Sequence, residues 1–85
     1  MKAKVNRTNI SEHLVDYQLK MIGKTIEDVK NDEQWYYNNT MTEEQHEEFK
    51  RYAIPLLKKI FKFNKAKAEQ TFQWFDLQFG LRIKS

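Results

Sequence analysis

Two glycines and one proline are all the backbone punctuation that this chain of 85 residues carries. Hairpins are built on Asn-Gly, Asp-Gly or Gly-x turns, and a sandwich or barrel needs turn chemistry about every ten residues. The β-branched residues are scattered and do not alternate with polar ones. A β frame therefore has little support, and the apolar residues are read at the helical period.

Read that way, Ile10, Leu14, Tyr17 and Met21 recur at spacings of four, three and four, one face of a helix. Val15, Leu19 and Ile22 lie about 100–140° or more round from that face. The first helix is thus apolar over a wide arc and is expected to sit between neighbours. Asn9 or Ser11 can cap its start. Gly23 interrupts the pattern. Either the helix ends near Ile22 and a short second helix carries Ile26 and Val29, or one helix bends through Gly23. Thr25 followed by Asp28, a weakened capping box, favours the break. Trp35-Tyr36-Tyr37 fits neither helical nor strand period, and Asn38-Asn39-Thr40 is turn material. This stretch reads as a loop or a single helical turn from which one or two aromatics plug the core.

Thr42 and Gln45 make a capping box, with Glu43 and Glu44 in the first turn where the helix dipole favours acids. The helix they open carries Phe49, Tyr52, Ala53, Leu56, Ile60 and Phe63 on one face. Pro55 lies in its interior, where it removes one hydrogen bond and crowds the Arg51 carbonyl. The apolar stripe keeps its phase across Pro55, so a kink near residues 51–55 is expected and not an end. Asn64 can cap a last helix whose stripe is Ala68, Phe72, Phe75 and Phe79, with Gly80 at the C′ position. Leu81 and Ile83 alternate in a short tail. The expected architecture is all-α: a compact three- to four-helix bundle, with main helices near 10–22, 43–63 and 65–79, a Pro-kinked third helix and a short C-terminal tail. Residues 1–8 read as a flexible basic arm and 9–85 as a single helical domain.

A chain this short buries only about 60% of its unfolded surface. Six Phe, four Tyr and two Trp meet that need with large area per residue. There is no Cys, hence no disulfide or thiolate metal site. No run approaches the roughly 18 apolar residues of a membrane span. The basic start MKAKVNRTNI has no apolar stretch behind it, so it is not a secretory signal. A cytoplasmic location without membrane contact is the expectation.

Motifs for chemistry are incomplete. Glu43-x-x-His46 has the spacing of carboxylate-bridged di-metal bundles, but these need a second such pair, and Ile10 stands three before the other histidine, His13. Gly23-Lys24-Thr25 lacks the earlier glycine of a phosphate loop. The serines are Ser11 and Ser85 alone, and no nucleophile–base pair can be built. We expect no catalytic residue, cofactor, metal or small-molecule substrate.

Charge is distributed unevenly. Residues 27–48 hold eight acids against Lys30, a net −7, whereas residues 50–67 hold seven bases and no acid. Arg51, Lys58 and Lys62 fall within about 40° on a helical wheel, with Lys59 nearby and Lys65 and Lys67 beyond Asn64. These six could track a phosphate backbone. The plain alternative is the solvated face of an amphipathic helix, favoured by the shortage of Arg and by the acids on the same helix.

A third feature is apolar surplus. On the last helix Trp74 and Leu77 lie about 140–200° from Phe72 and should look outward, unless that helix is central or the tail or Tyr36 covers Trp74. With the Val15, Leu19 and Ile22 side of the first helix, they make a protein-interaction module the leading expectation, self-associating as a homo-oligomer or bound to another protein. An electrostatic nucleic-acid binder is the alternative. Short length, absence of Cys and abundant Lys and Asn resemble small accessory proteins of bacteriophages. That resemblance rests on no motif and assigns no residues; it implies a protein that binds and modulates another.

Overall fold

A computed structural model describes residues 5–84. The order of elements is α1 (Ile10–Met21), α2 (Ile26–Val29), α3 (Trp35–Asn38), β1 (Thr40–Met41), α4 (Glu43–Phe61), α5 (Lys65–Phe79) and β2 (Arg82–Ile83). The molecule is mostly helical, with three substantial helices, and α4 packs against both α5 and α1. The main core gathers Ile10 and Leu14 from α1, Phe49, Ala53 and Leu57 from α4, and Ala68, Phe72 and Phe75 from α5.

Local signals set most helix ends. At Gly23 the chain breaks, as the capping residues favoured. Lys24 N–H bonds the Leu19 carbonyl and Gly23 N–H the Lys20 carbonyl, the paired bonds of a Schellman motif. Gly23 takes the left-handed conformation this needs, φ 77°. Thr25 with Asp28 and Thr42 with Gln45 form complete, reciprocal capping boxes. Asn64 caps α5 by accepting from Lys67 N–H at 2.8 Å. At α1 Asn9 occupies the cap position, but its side chain makes no capping bond to the helix.

Three expectations about the helix stripes need correction. Helix α4 passes through Pro55 but stops at Phe61, because Lys62 turns left-handed (φ 57°); Phe63 therefore leaves the stripe. Leu57, not Leu56, is the fully buried residue of that stretch, since it continues the spacing of four set by Phe49 and Ala53. Phe79 ends α5 at 38% exposure instead of in the core. The short tail forms a strand: β2 runs parallel to β1, Thr40 opposite Arg82 and Met41 opposite Ile83, and Lys84 N–H reaches the Met41 carbonyl at 2.7 Å. Of the expected arm, residues 1–4 lie outside the described residues; Val5 packs against the core and Arg7 stands over the Phe61 ring.

The tail returns through a contact that periodicity gives no reason to expect. Gln18 on α1 is wholly buried. Its Nε2 donates to the Phe79 carbonyl at 3.1 Å and its Oε1 accepts from Leu81 N–H at 3.2 Å. Both ends of the amide are satisfied, so burial carries no desolvation deficit. Between these two anchors, Gly80 lies so close to Asp76 that a Cβ would overlap the aspartate's side chain and its backbone carbonyl.

Candidate functional site

Two surfaces stand out. The first is the outward face of α5. Trp74 is 59% and Leu77 86% exposed, less than one helical turn apart. Neither the tail nor Tyr36 hides Trp74: the tail is drawn instead to β1. From Gln70 to Leu81 the sequence holds one charged residue, Asp76. That carboxylate is engaged on another side of the helix, 3.0 Å from Nε2 of His46 on α4. The outward flank is thus made of Gln70, Gln73, Trp74, Leu77 and Gln78, all exposed and uncharged.

The other residues expected at an interface divide. Leu19 is fully buried and belongs to the interior, a correction to the expectation. The arc that looked surplus is partly covered by the chain itself, with α2 packed on α1. Val15 and Ile22 are half-buried. Val15 lines an open groove of about 630 Å³ with Ile26, Val29, Trp35 and Phe79 among its walls. None of the three consecutive aromatics plugs the core as expected: Trp35 is half-buried on the groove wall, and Tyr36 and Tyr37 stay exposed.

The second surface is the turn from α4 to α5. Arg51, Lys58, Lys59, Lys62, Lys65 and Lys67 are all exposed. Among the described residues the only ion pair any of them makes is Lys65 with Glu69, at 3.9 Å. Lys62 does not continue the helical face on which it was placed; as the left-handed cap it sits in the turn. The turn also carries stacked rings, Phe61 and Phe63, with centroids 5.2 Å apart. Arg7 stands 5.7 Å from the Phe61 centroid and Lys67 5.8 Å from that of Phe63, within cation–π range. Neither Arg7 nor the ring pair was singled out from sequence; a charge run flanked by Phe-x-Phe was the available signal.

Groups with acid–base chemistry are tied into packing. His13 Nε2 lies 2.6 Å from the Tyr52 hydroxyl, and Tyr52 stacks on Tyr17 with 3.9 Å between centroids. Burial, then the nearby Glu48 carboxylate and Tyr52, raise the Tyr17 pKa above its usual 10.0. His46 meets Asp76 and the Phe72 ring and is not gathered with Glu43 into a ligand set. Among the described residues no group of three or more His, Cys, Asp or Glu is placed to hold a metal, and no helix is long and apolar enough to cross a membrane. Comparison with protein-family models, with curated proteins and with solved structures finds no match for this chain.

Proposed function

We propose that the chain is a small, non-enzymatic protein-interaction module of the cytoplasm that pairs with a second copy of itself through the outward face of α5. The observation that carries this reading is the uncharged stretch around Trp74 and Leu77. In a protein with 32% charged residues, the five exposed positions Gln70, Gln73, Trp74, Leu77 and Gln78 bear no charge. A two-fold interface buries the same patch on both copies, so each charge on it would be desolvated twice and would need an opposite charge within that same patch. This face has none to bury. Trp, with its large ring, is also the residue type most enriched at the energetic centre of interfaces, and glutamines suit a polar rim.

Light scattering coupled to size exclusion tests the reading. The wild type is expected to elute with a dimer's mass, dissociating on dilution and little affected by salt. Leu77→Lys should give a folded monomer. A wild type that stays monomeric at the highest soluble concentration overturns the proposal. A dimer that dissociates as salt rises would instead point to the acidic half of one copy meeting the basic half of another.

A further inference from the structure

We propose that the α4–α5 turn binds the phosphate backbone of nucleic acid without sequence preference, through Arg7, Lys58, Lys59, Lys62, Lys65 and Lys67. The inference does not depend on self-association through α5.

The first argument is where the cations stand. Lys58 and Lys59 occupy the last turn of α4, where the helix dipole welcomes positive charge, so the fold alone accounts for them. Lys65 and Lys67 do not fit that account. They lie in the first turn of α5, which holds no acid, and there the dipole opposes a cation. Helix stability would be better served by acids at both positions, as at the start of α4. The turn carries five lysines besides the Arg7 guanidinium, and among the described residues the one carboxylate paired with any of them is Glu69, on Lys65. Both partners of that pair are well exposed, and such pairs hold weakly.

The second argument is the ring pair. Phe61 and Phe63 stack on one another, with Arg7 over the first and Lys67 over the second. Rings hold these two cations by their quadrupoles and leave the N–H donors unused. They fix the charges in place without neutralising them, as a phosphate-binding surface needs.

The third argument answers the acids on the same helix. From Glu48 to Lys58 is ten residues, about 15 Å along α4. The screening length at physiological salt is about 8 Å, so the acidic end does little at the turn. The surroundings also favour nucleic acid over other polyanions. A membrane surface calls for exposed apolar side chains to insert, and protein interfaces have an apolar centre depleted of charge. Here Phe61 and Phe63 are half-buried, and the large exposed apolar residues lie elsewhere, in α3, β2 and the second half of α5. Lysines, acting as point charges, read backbone and not bases.

Fluorescence anisotropy of a labelled mixed-sequence oligonucleotide, duplex and single-stranded, tests this on the whole chain. Binding is expected at about 50 mM salt, unchanged by scrambling the sequence. If about four duplex phosphates are neutralised, log K falls against log salt with a slope of about −3.6. The deciding variant is Lys65→Glu with Lys67→Glu. The gain with the α5 dipole offsets the lost Lys65–Glu69 and Lys67–Phe63 contacts, so the helical circular dichroism should hold and the melting temperature stay within a few degrees, while affinity drops by about tenfold or more. Lys58→Glu with Lys59→Glu should weaken binding similarly. No binding at about 50 mM salt overturns the proposal, as does affinity unaffected by the Lys65/Lys67 reversal. Binding to polyglutamate or to phosphatidylserine vesicles as tight as to the oligonucleotides overturns the assignment to nucleic acid.

Discussion

Helices α1 and α5 pose the same problem and meet it differently. Each carries apolar side chains well outside a single stripe. On α1 the chain covers part of the surplus: α2 packs on the helix, Leu19 is sealed, Val15 and Ile22 are left half-buried, and Gln18 grips the end of α5 and the start of the tail. On α5 the surplus stays in water, with Leu77 at 86% exposure. A wide apolar arc therefore does not by itself mark an interface. What matters is whether a later segment of the same chain returns to it, and here the returning segment is spent on α1 and β1.

The sharpest way to break that contrast is to truncate both leucines. Leu19→Ala empties a sealed site and should cost about 2–5 kcal/mol, read as a lowered midpoint in urea unfolding. A change below about 0.5 kcal/mol would mean that α2 does not cover α1 in solution. Gln18→Ala comes next. It leaves the Phe79 carbonyl and Leu81 N–H without their partner and should cost about 1–3 kcal/mol. Amide exchange should accelerate at Leu81 and Lys84 before it does in α4, because Gln18 anchors the tail that Lys84 pairs to Met41.

The two glycines divide by mechanism. Gly80→Ala pushes a methyl group into Asp76, whose carboxylate is also held by His46, and should cost about 1–3 kcal/mol. Gly23→Ala meets no atom within 4 Å. Its cost, about 1–2 kcal/mol, is that of holding an L-residue left-handed. Asp76→Asn, which lacks the carboxylate charge that draws His46, should leave the Gly23 penalty unchanged and alter that of Gly80, checked by a double-mutant cycle. Gly80 was expected to serve as a left-handed cap. Its φ is −73°, and its small size is required instead by the closeness of Asp76.

What the sequence made legible was whatever is decided within a few residues. Thr25, Thr42 and Asn64 each cap the helix that follows, because the donor and acceptor sit three positions apart. The stripes of α4 and α5 were visible for the same reason, and so was the outward place of Trp74. The illegible parts depend on partners far along the chain. Thr40 pairs with Arg82, and Gln18 with residues 79 and 81, and no period links such positions. Lys62 defeats a different rule: a non-glycine residue in the left-handed region ends α4 two residues before its apolar pattern does. In the candidate surfaces, the exposure of Trp74 and Leu77 followed from helical geometry, but the removal of Leu19 from that set required knowing where α2 lands.

Two smaller effects sharpen the comparison. On the covered side, Tyr17 has a folded pKa raised by burial, Glu48 and Tyr52. Raised above the unfolded value of 10.0, it leaves stability intact below that pH and withdraws it as pH climbs toward the folded value, because the unfolded chain releases the proton first. Tyr17→Phe should flatten the alkaline limb of the stability profile. On the uncovered side, Leu77→Ala should change the unfolding free energy of dilute, monomeric protein by less than about 0.5 kcal/mol, since almost no surface of Leu77 leaves water on folding. Measured at concentrations where the wild type is dimeric, the same substitution should lower the melting temperature, because a dimer's stability includes its association free energy. A dilute-state cost comparable to that of Leu19→Ala would place Leu77 inside the monomer's own packing and erase the difference between the two helices.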